Sequence, residues 1–262
     1  MGTFTRIPED TFSGLQLDAG ILLKNFNPAS PSVADADIIC ATTGGINPQC
    51  IPNYSDMGAD IDNCPNNMME FKKLEGWDCK ISTTALGNDP DTIRLALGAA
   101  DKAGNRVVPR RDLKQSDFSD LWWVGDRADG GFVAICLKNA LSTGGFTLQT
   151  SKNGKGTITL ELTGHVSVSA QNKVPMEFYS ADPVEYTITN TLSHVTNSNT
   201  NTKAAQGHSY LAALTPDSGY KLGTATVTMD GTDITSTAYD DGIIVIDEVT
   251  GNIVITCSGT AE

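Results

Sequence analysis

The sequence predicts a mainly β protein in two parts: a sandwich or barrel of long hairpins flanked by one α-helix, then a small all-β domain. Three observations carry this. The run EFKKLEGWDCKISTTAL, residues 70–86, has no proline and alternates with a period of two. Trp77, Cys79, Ile81, Thr83 and Ala85 fall on one face and Asp78, Lys80, Ser82 and Thr84 on the other, the pattern of a strand with one buried and one wet side. Ordinary strands stop at roughly 5–6 residues, so this one reaches unusually far. Second, apolar segments recur between Gly, Asn and Asp turn signals, with Asn153-Gly154 marking a hairpin between TLQTSK and KGTITLEL. Third, composition changes at Asp182-Pro183, beyond which the only cations are Lys203 and Lys221. That places a boundary between residues 1–182 and 183–262, at a residue whose following proline keeps it out of helical space.

Taken in order, Ala19–Leu23 reads as a short strand or arm, ended by Asn27-Pro28 and Ser30-Pro31. ADIICATTGGI reads as a strand ending at Gly44-Gly45. Asn47 to Asn67, with Pro48, Pro52 and Pro65, reads as a long loop, and loops beyond roughly 12–15 residues suggest a contact role. After the long strand, Asp89-Pro90-Asp91 is a helix start: an N-cap, a first-turn proline and an acidic first turn. Ile93, Leu97 and Ala100 continue it at helical spacing. NRVVPRR, SDLWWVGD, GGFVAICLKNAL, GFTLQTS and GKGTITLELTGHVSV then read as strands, the last with Ile158, Leu160 and Leu162 alternating against Thr157, Thr159 and Glu161. Trp122 and Trp123 must point to opposite faces, one into the core and one outward. Beyond residue 182, YTITNTL, SYLAALT, ATVTMDG, GIIVIDEV and NIVITCSG are short strands of a module large enough to fold by itself.

The 262 residues carry a formal charge of −13, which argues against gripping nucleic acid, because phosphates require clustered Lys and Arg. MGTFTRIPEDTFSGL has no basic n-region or apolar core, so no export signal is expected, and no apolar run approaches the roughly 20 residues of a membrane helix. The six cysteines form no C-x-x-C pair and are expected to be isolated thiols. His165, His194 and His208 have no metal-ligand spacing. SKNGKGT lacks the upstream glycine and the Ser or Thr of a phosphate loop, and no G-x-S-x-G elbow is present. Asp56, Asp60 and Asp62 lack the glycine and closing Glu of a calcium loop. No catalytic set, metal or cofactor is expected.

The ordered series IPEDTFSGLQLDAGILLKNFNP, GWDCKISTTALGNDPDTIRLALGAAD, SDLWWVGD and FVAICLKNALSTGGFTLQTSKNGKGTITLELTGH resembles the major tail protein (tail tube protein) of long-tailed, non-contractile bacteriophages of Gram-positive hosts. The remainder is similar to small Ig-like or repeat-type β modules appended to phage structural and bacterial surface proteins. The resemblance implies a tail-tube β-sandwich whose long hairpins join a hexameric ring, with rings stacked into a conduit for the genome and the appended module outside. It implies a virion tail component assembled in the host cytoplasm. Its partners would be copies of itself, other tail proteins such as the tape measure and terminator or distal tail proteins, and passing double-stranded DNA held without specific binding. It carries no catalytic residues. The alternative is a surface adhesin or carbohydrate-binding module taking host surface glycans, resting on the C-terminal β unit and an outward Trp.

Within the tube reading, a long strand with an uncovered edge leaves N–H and C=O groups that ring closure would pair. Strands including Glu70–Leu86 and Lys155–Val168 are therefore expected to pair between subunits, through Trp77, Cys79, Ile81, Thr83, Ile158, Leu160 and Leu162. Asp78, Lys80, Ser82 and Thr84 would face the lumen. The N-terminal arm and the Asn47–Asn67 loop, through Phe12, Leu15, Leu17, Pro52, Tyr54 and Met57, would join successive rings. From Pro183 on there are nine acids and two cations, −7, which leaves −6 for residues 1–182, so net charge does not locate the lumen.

Overall fold

A computed structural model describes residues 7, 8, 11, 12 and 14–262. The N-terminal arm expected at residues 1–6, 9, 10 and 13 lies outside the described residues. The protein is mainly β, with two α-helices among the described residues, and divides into two compact units, Leu15–Arg127 with Phe132–Ala181, and Asp182–Glu262 with Ala128–Gly131. No helix among the described residues is long and apolar enough to cross a membrane.

The first unit runs β1 (Ile21–Leu23), β2 (Thr42–Asp56), β3 (Lys72–Ala85), α1 (Pro90–Leu97), β4 (Ala100–Ala103), β5 (Arg106–Pro109), β6 (Ser119–Asp126), β7 (Phe132–Ser142), β8 (Leu148–Gln149), β9 (Thr157–Thr163) and β10 (Met176–Ala181). One sheet takes the order β1-β6-β7-β9-β3-β2, with β10 added to β7 and β8 to β9. It folds onto itself. Leu22, Trp123, Ile135 and Leu137 from the β1-β6-β7 half share a buried core with Cys79, Ile81 and Leu162 from the β3-β9 half. β7 makes the bend possible, pairing with β6 and β10 along most of its length and with β9 only at Leu141 and Ser142.

α1 starts as the sequence dictates. Asp89 accepts hydrogen bonds from the N–H groups of Asp91 and Thr92, both 3.0 Å, and from the Thr92 hydroxyl at 2.6 Å. Burial pushes the Asp89 carboxyl up, but these donors outweigh it and hold it below the usual carboxylate range. The helix lays Ala96, Ile93 and Leu95 on Ala85, Ile158 and Leu160. Asp89→Ala should cost about 1 kcal/mol. Because the folded pKa is depressed, the carboxylate's contribution is present above the unfolded carboxylate value and is lost as pH falls through the folded one. Denaturant midpoints for parent and variant should therefore converge on acidification.

Several expectations change. Asn47–Asp56 is strand, not loop: β2 pairs with β3 along its length, from Thr42 opposite Ala85 to Asp56 opposite Lys72. It does not end at Gly44-Gly45 but begins before them. Both glycines take positive φ, +76° and +86°, and absorb a bulge between Thr43 and Ile46 that lets pairing resume. The helix stops at Leu97, and Ala100 instead opens the β4–β5 hairpin, which reads weakly in sequence because seven of its eight residues are not buried. β9 ends at Thr163 rather than Val168. Gly164 lies so close to Leu137 and Pro175 that a Cβ would sit 2.7 Å from the Leu137 side chain, and the chain turns there. Trp122 and Trp123 do face opposite ways, yet neither is outward. Trp123 donates its indole N–H to Ala19 O at 3.0 Å in the main core, while Trp122 packs on Phe26 and Tyr179 on the other side of the sheet.

The second unit runs β11 (Glu185–Ser193), β12 (Val195–Asn197), β13 (Lys203–Ala205), β14 (Tyr210–Pro216), β15 (Tyr220–Met229), β16 (Thr232–Asp233), the single-turn α2 (Thr235–Ala238), β17 (Tyr239–Asp240), β18 (Ile243–Ile246) and β19 (Ile253–Ala261). A five-stranded sheet, β13-β11-β19-β15-β16, and a four-stranded one, β12-β14-β18-β17, enclose Val227, Ile244, Val249, Ile253, Ile255 and Cys257, all fully buried. Its first and last strands, β11 and β19, run parallel.

Candidate assembly edge

The β2–β3 ribbon outruns the sheet that supports it. β9 covers β3 only from Lys80 to Ala85, so Lys72–Cys79 has β2 on one side and, among the described residues, no strand on the other. Register settles which backbone groups are free. Pro48 and Pro52 lie opposite Ile81 and Trp77 and cannot donate, so the residues between them, Gln49 and Ile51, exchange the ladder bonds with Lys80 and Asp78. Trp77, Cys79 and Ile81 therefore turn their N–H and C=O away from β2. Ile81 meets β9, and Cys79 O accepts from Gly164 N at 2.9 Å. Trp77 is the first whose groups open onto a groove.

That groove, about 600 Å³, is lined by Leu74–Trp77 on one side and by Val166, Val168, Gln171 and Lys173–Pro175 on the other. Ile51, Tyr54, Met57, Met69, Leu74 and Trp77 are exposed along the ribbon and its tip. Of these, Leu74 and Trp77 line the groove, whereas Ile51 lies on the opposite face of the ribbon beside Asp78. A two-stranded ribbon is marginally stable in water. The other edge of the ribbon differs: Pro48 and Pro52 remove two of the donors that β2 would offer an incoming strand, which blunts it.

The tip is held by its own polar contacts. Asp56 accepts from the N–H groups of Asn67 and Gly58, each at 3.0 Å, and from Lys72 Nζ at 3.3 Å. The two backbone donors are the main reason its carboxyl lies below the usual range. Met57 N donates to Phe71 O at 2.8 Å, and Ser55 Oγ to Glu75 Oε1 at 2.6 Å.

The residues expected to pair between subunits divide accordingly. Ile81, Thr83, Ile158, Leu160 and Leu162 pair inside the chain: Ile81 stands opposite Leu162, Thr83 opposite Leu160, and Ile158 opposite Ala85. β9 is bounded on its other side by β8 and β7, so its ladder is already occupied. The expectation of inter-subunit pairing at these five positions gives way, because their polar groups are satisfied and their side chains fill the core. Cys79 is likewise buried. Trp77 alone of the seven lies at the open edge. Asp78, Lys80, Ser82 and Thr84 share the face away from the core, where Lys80 reaches Glu161 Oε1 at 3.0 Å. Asn47, Gln49, Ile51, Thr159 and Thr163 share that face by register. Phe12, Leu15, Leu17, Tyr54 and Met57 are exposed, and Pro52 is half-buried inside β2 rather than in a loop. Leu17 is tied to Asp126 O at 2.8 Å.

A second cavity, about 560 Å³, includes Asp91, Asp117 and Asp120 in its lining. Each of these carboxylates is committed to a cation, respectively Lys102, Arg110 and Lys138. Among the described residues no group of three or more His, Cys, Asp or Glu side chains is placed to hold a metal ion.

In the sequence Pro48 and Pro52 look like loop formers, and the groove joins segments too far apart in sequence to leave a signal. No family model and no curated protein matches the chain. Among solved structures it is similar to a chain described as "Virion of native gene transfer agent (GTA) particle", at 13% identity and a TM-score of 0.33, covering 62% of this chain and 95% of that one.

Proposed function

We propose that the protein is a structural, non-catalytic subunit of a bacteriophage tail tube, which assembles through its β2–β3 ribbon into stacked rings that form a conduit for the genome. The observation that carries this reading is the uncovered pairing edge at Lys72–Asp78, flanked by exposed apolar side chains on a ribbon too thin to be stable by itself. An extended segment of a neighbouring copy would add to that edge, its backbone completing the ladder and its side chains entering the groove. The blunted β2 edge gives the contact one direction, as a closed ring requires. The sequence resemblance over residues 1–182 supports the same reading and supplies the number six for the ring.

The polar face of the ribbon suits a lumen. Asn47, Gln49, Ser82, Thr84, Thr159 and Thr163 carry no charge, Ile51 adds an apolar side chain opposite Asp78, and the Lys80–Glu161 pair leaves Asp78 in slight excess. Such a wall offers phosphates no cluster of cations to dwell on, so duplex DNA would pass hydrated. The C-terminal unit would decorate the outside. A sugar-binding reading loses its aromatic platform, since both Trp122 and Trp123 are buried.

Sedimentation and negative-stain imaging across a concentration series test the proposal. Rings or tubes are expected to grow with concentration, without retention of duplex DNA at physiological salt. A chain that stays monomeric throughout overturns it.

A further inference from the structure

We propose that Cys50 and Cys79 are a redox-active dithiol, which a small-molecule disulfide such as oxidised glutathione converts into a cross-strand disulfide fastening β2 to β3. The two Sγ atoms are 3.3 Å apart, and the residues are direct partners in the ladder. They occupy a non-hydrogen-bonded site: Pro48 and Pro52 share their parity on β2, and Cys79 O is turned to Gly164. At such sites opposed Cα atoms approach to about 4.5 Å, inside the span a disulfide bridges. The other four cysteines lie elsewhere, Cys40 ahead of β2, Cys64 in the tip, Cys136 in β7 and Cys257 in β19. Twenty-nine positions separate the pair in sequence, so spacing gives no hint of it. The expectation of isolated thiols is corrected here by strand register.

The two thiols are unequal. Cys50 is half-buried, whereas Cys79 is 1% exposed in the core. Burial, then the hydrogen bond with Cys50, pushes the Cys79 thiol up to about 12. Cys50 is therefore the attacking group. Its thiolate adds to one sulfur of the small disulfide, whose S–S bond breaks and releases one thiolate. Cys79 yields its proton to that thiolate and attacks the Cys50 sulfur, expelling the second. Two protein thiols are oxidised and one small disulfide is reduced to two thiols.

The pair lies at Cys79, next to Lys80, where β9 stops and the sheet thins to the ribbon. A covalent link there holds the overhanging half of β2 and β3 in register once the chain meets an oxidising medium. The chemistry stands independently of the tail-tube reading, because it requires only the ladder of one chain.

The test is thiol counting on dilute protein held in a glutathione redox mixture, quenched with acid, unfolded, alkylated and weighed, then digested. The parent should lose two alkylatable thiols of its six, retain no glutathione, remain monomeric without reductant, and yield a cross-linked peptide joining Cys50 to Cys79. Cys79→Ser should stop at the first step, holding one glutathione on Cys50. Cys50→Ser should consume Cys79 at least about tenfold more slowly than the parent. Six free thiols in the parent, glutathione retained on its Cys50, or a link between chains overturns the proposal.

Discussion

Trp77→Pro should give a chain that folds and stays monomeric at concentrations where the parent assembles. The Trp77 N–H points away from β2 to the open side of β3, so proline there removes no bond from the chain's own ladder. It does remove the donor an incoming strand would use and places ring carbons in its path. Losing one inter-strand bond while stranding its acceptor costs about 2–4 kcal/mol per contact. By mass action that is roughly thirty- to several-hundredfold in association. Trp77→Ala keeps the donor and loses the side chain, so it should shift the onset of assembly less. Asp78→Pro is the contrast: Asp78 bonds to Ile51 within the chain, and its loss should destabilise the hairpin itself. Sedimentation velocity with circular dichroism separates the three. A Trp77→Pro chain that assembles like the parent removes the edge from consideration.

Leu162→Ala should cost about 2–5 kcal/mol. Leu162 is fully buried, opposite Ile81 across β3 and β9 and packed among Leu22, Leu137 and Met176. It joins the two halves of the folded sheet, so the vacated volume cannot close without moving a strand. For a unit of this size the thermal midpoint falls roughly 2–4 °C per kcal/mol. Calorimetry should place the loss in the Leu15–Ala181 transition and leave that of Asp182–Glu262 in place, because Val227, Ile244 and Ile255 belong to a separate core. A shift of less than 1 kcal/mol would mean that Leu162 does not bridge the halves.

The sequence disclosed what one-sided burial writes into it. From Cys79 to Ala85 the strand alternates because every second side chain enters the core, and α1 was legible at its start because Asp89 and Pro90 can do little else together. β2 was illegible for the opposite reason. Its inward positions are Ile46, Pro48, Cys50 and Pro52, and among the described residues no strand pairs with its outer edge, so prolines that would forbid a central strand are tolerated there. The same outer position made the residues of greatest interest look like loop. Leu160 and Leu162 alternate legibly with Thr159 and Glu161, but a period of two fixes a face and leaves the neighbouring strand undetermined; inside the chain that strand is β3. The groove beside Trp77 depends on Val166–Pro175 returning to it after Gly164, a tertiary event with no local trace.

The parallel pairing of β11 with β19 governs how the second unit answers a pull. Six register pairs, Ile188 with Ile253 through Ser193 with Ser258, join the strand that enters the unit to the strand that leaves it. Tension applied at those two ends acts along the strands in opposite senses, so the evenly spaced bonds are loaded together in shear and cannot peel one by one. A pull that grips this unit at both of those ends would therefore meet its most resistant axis.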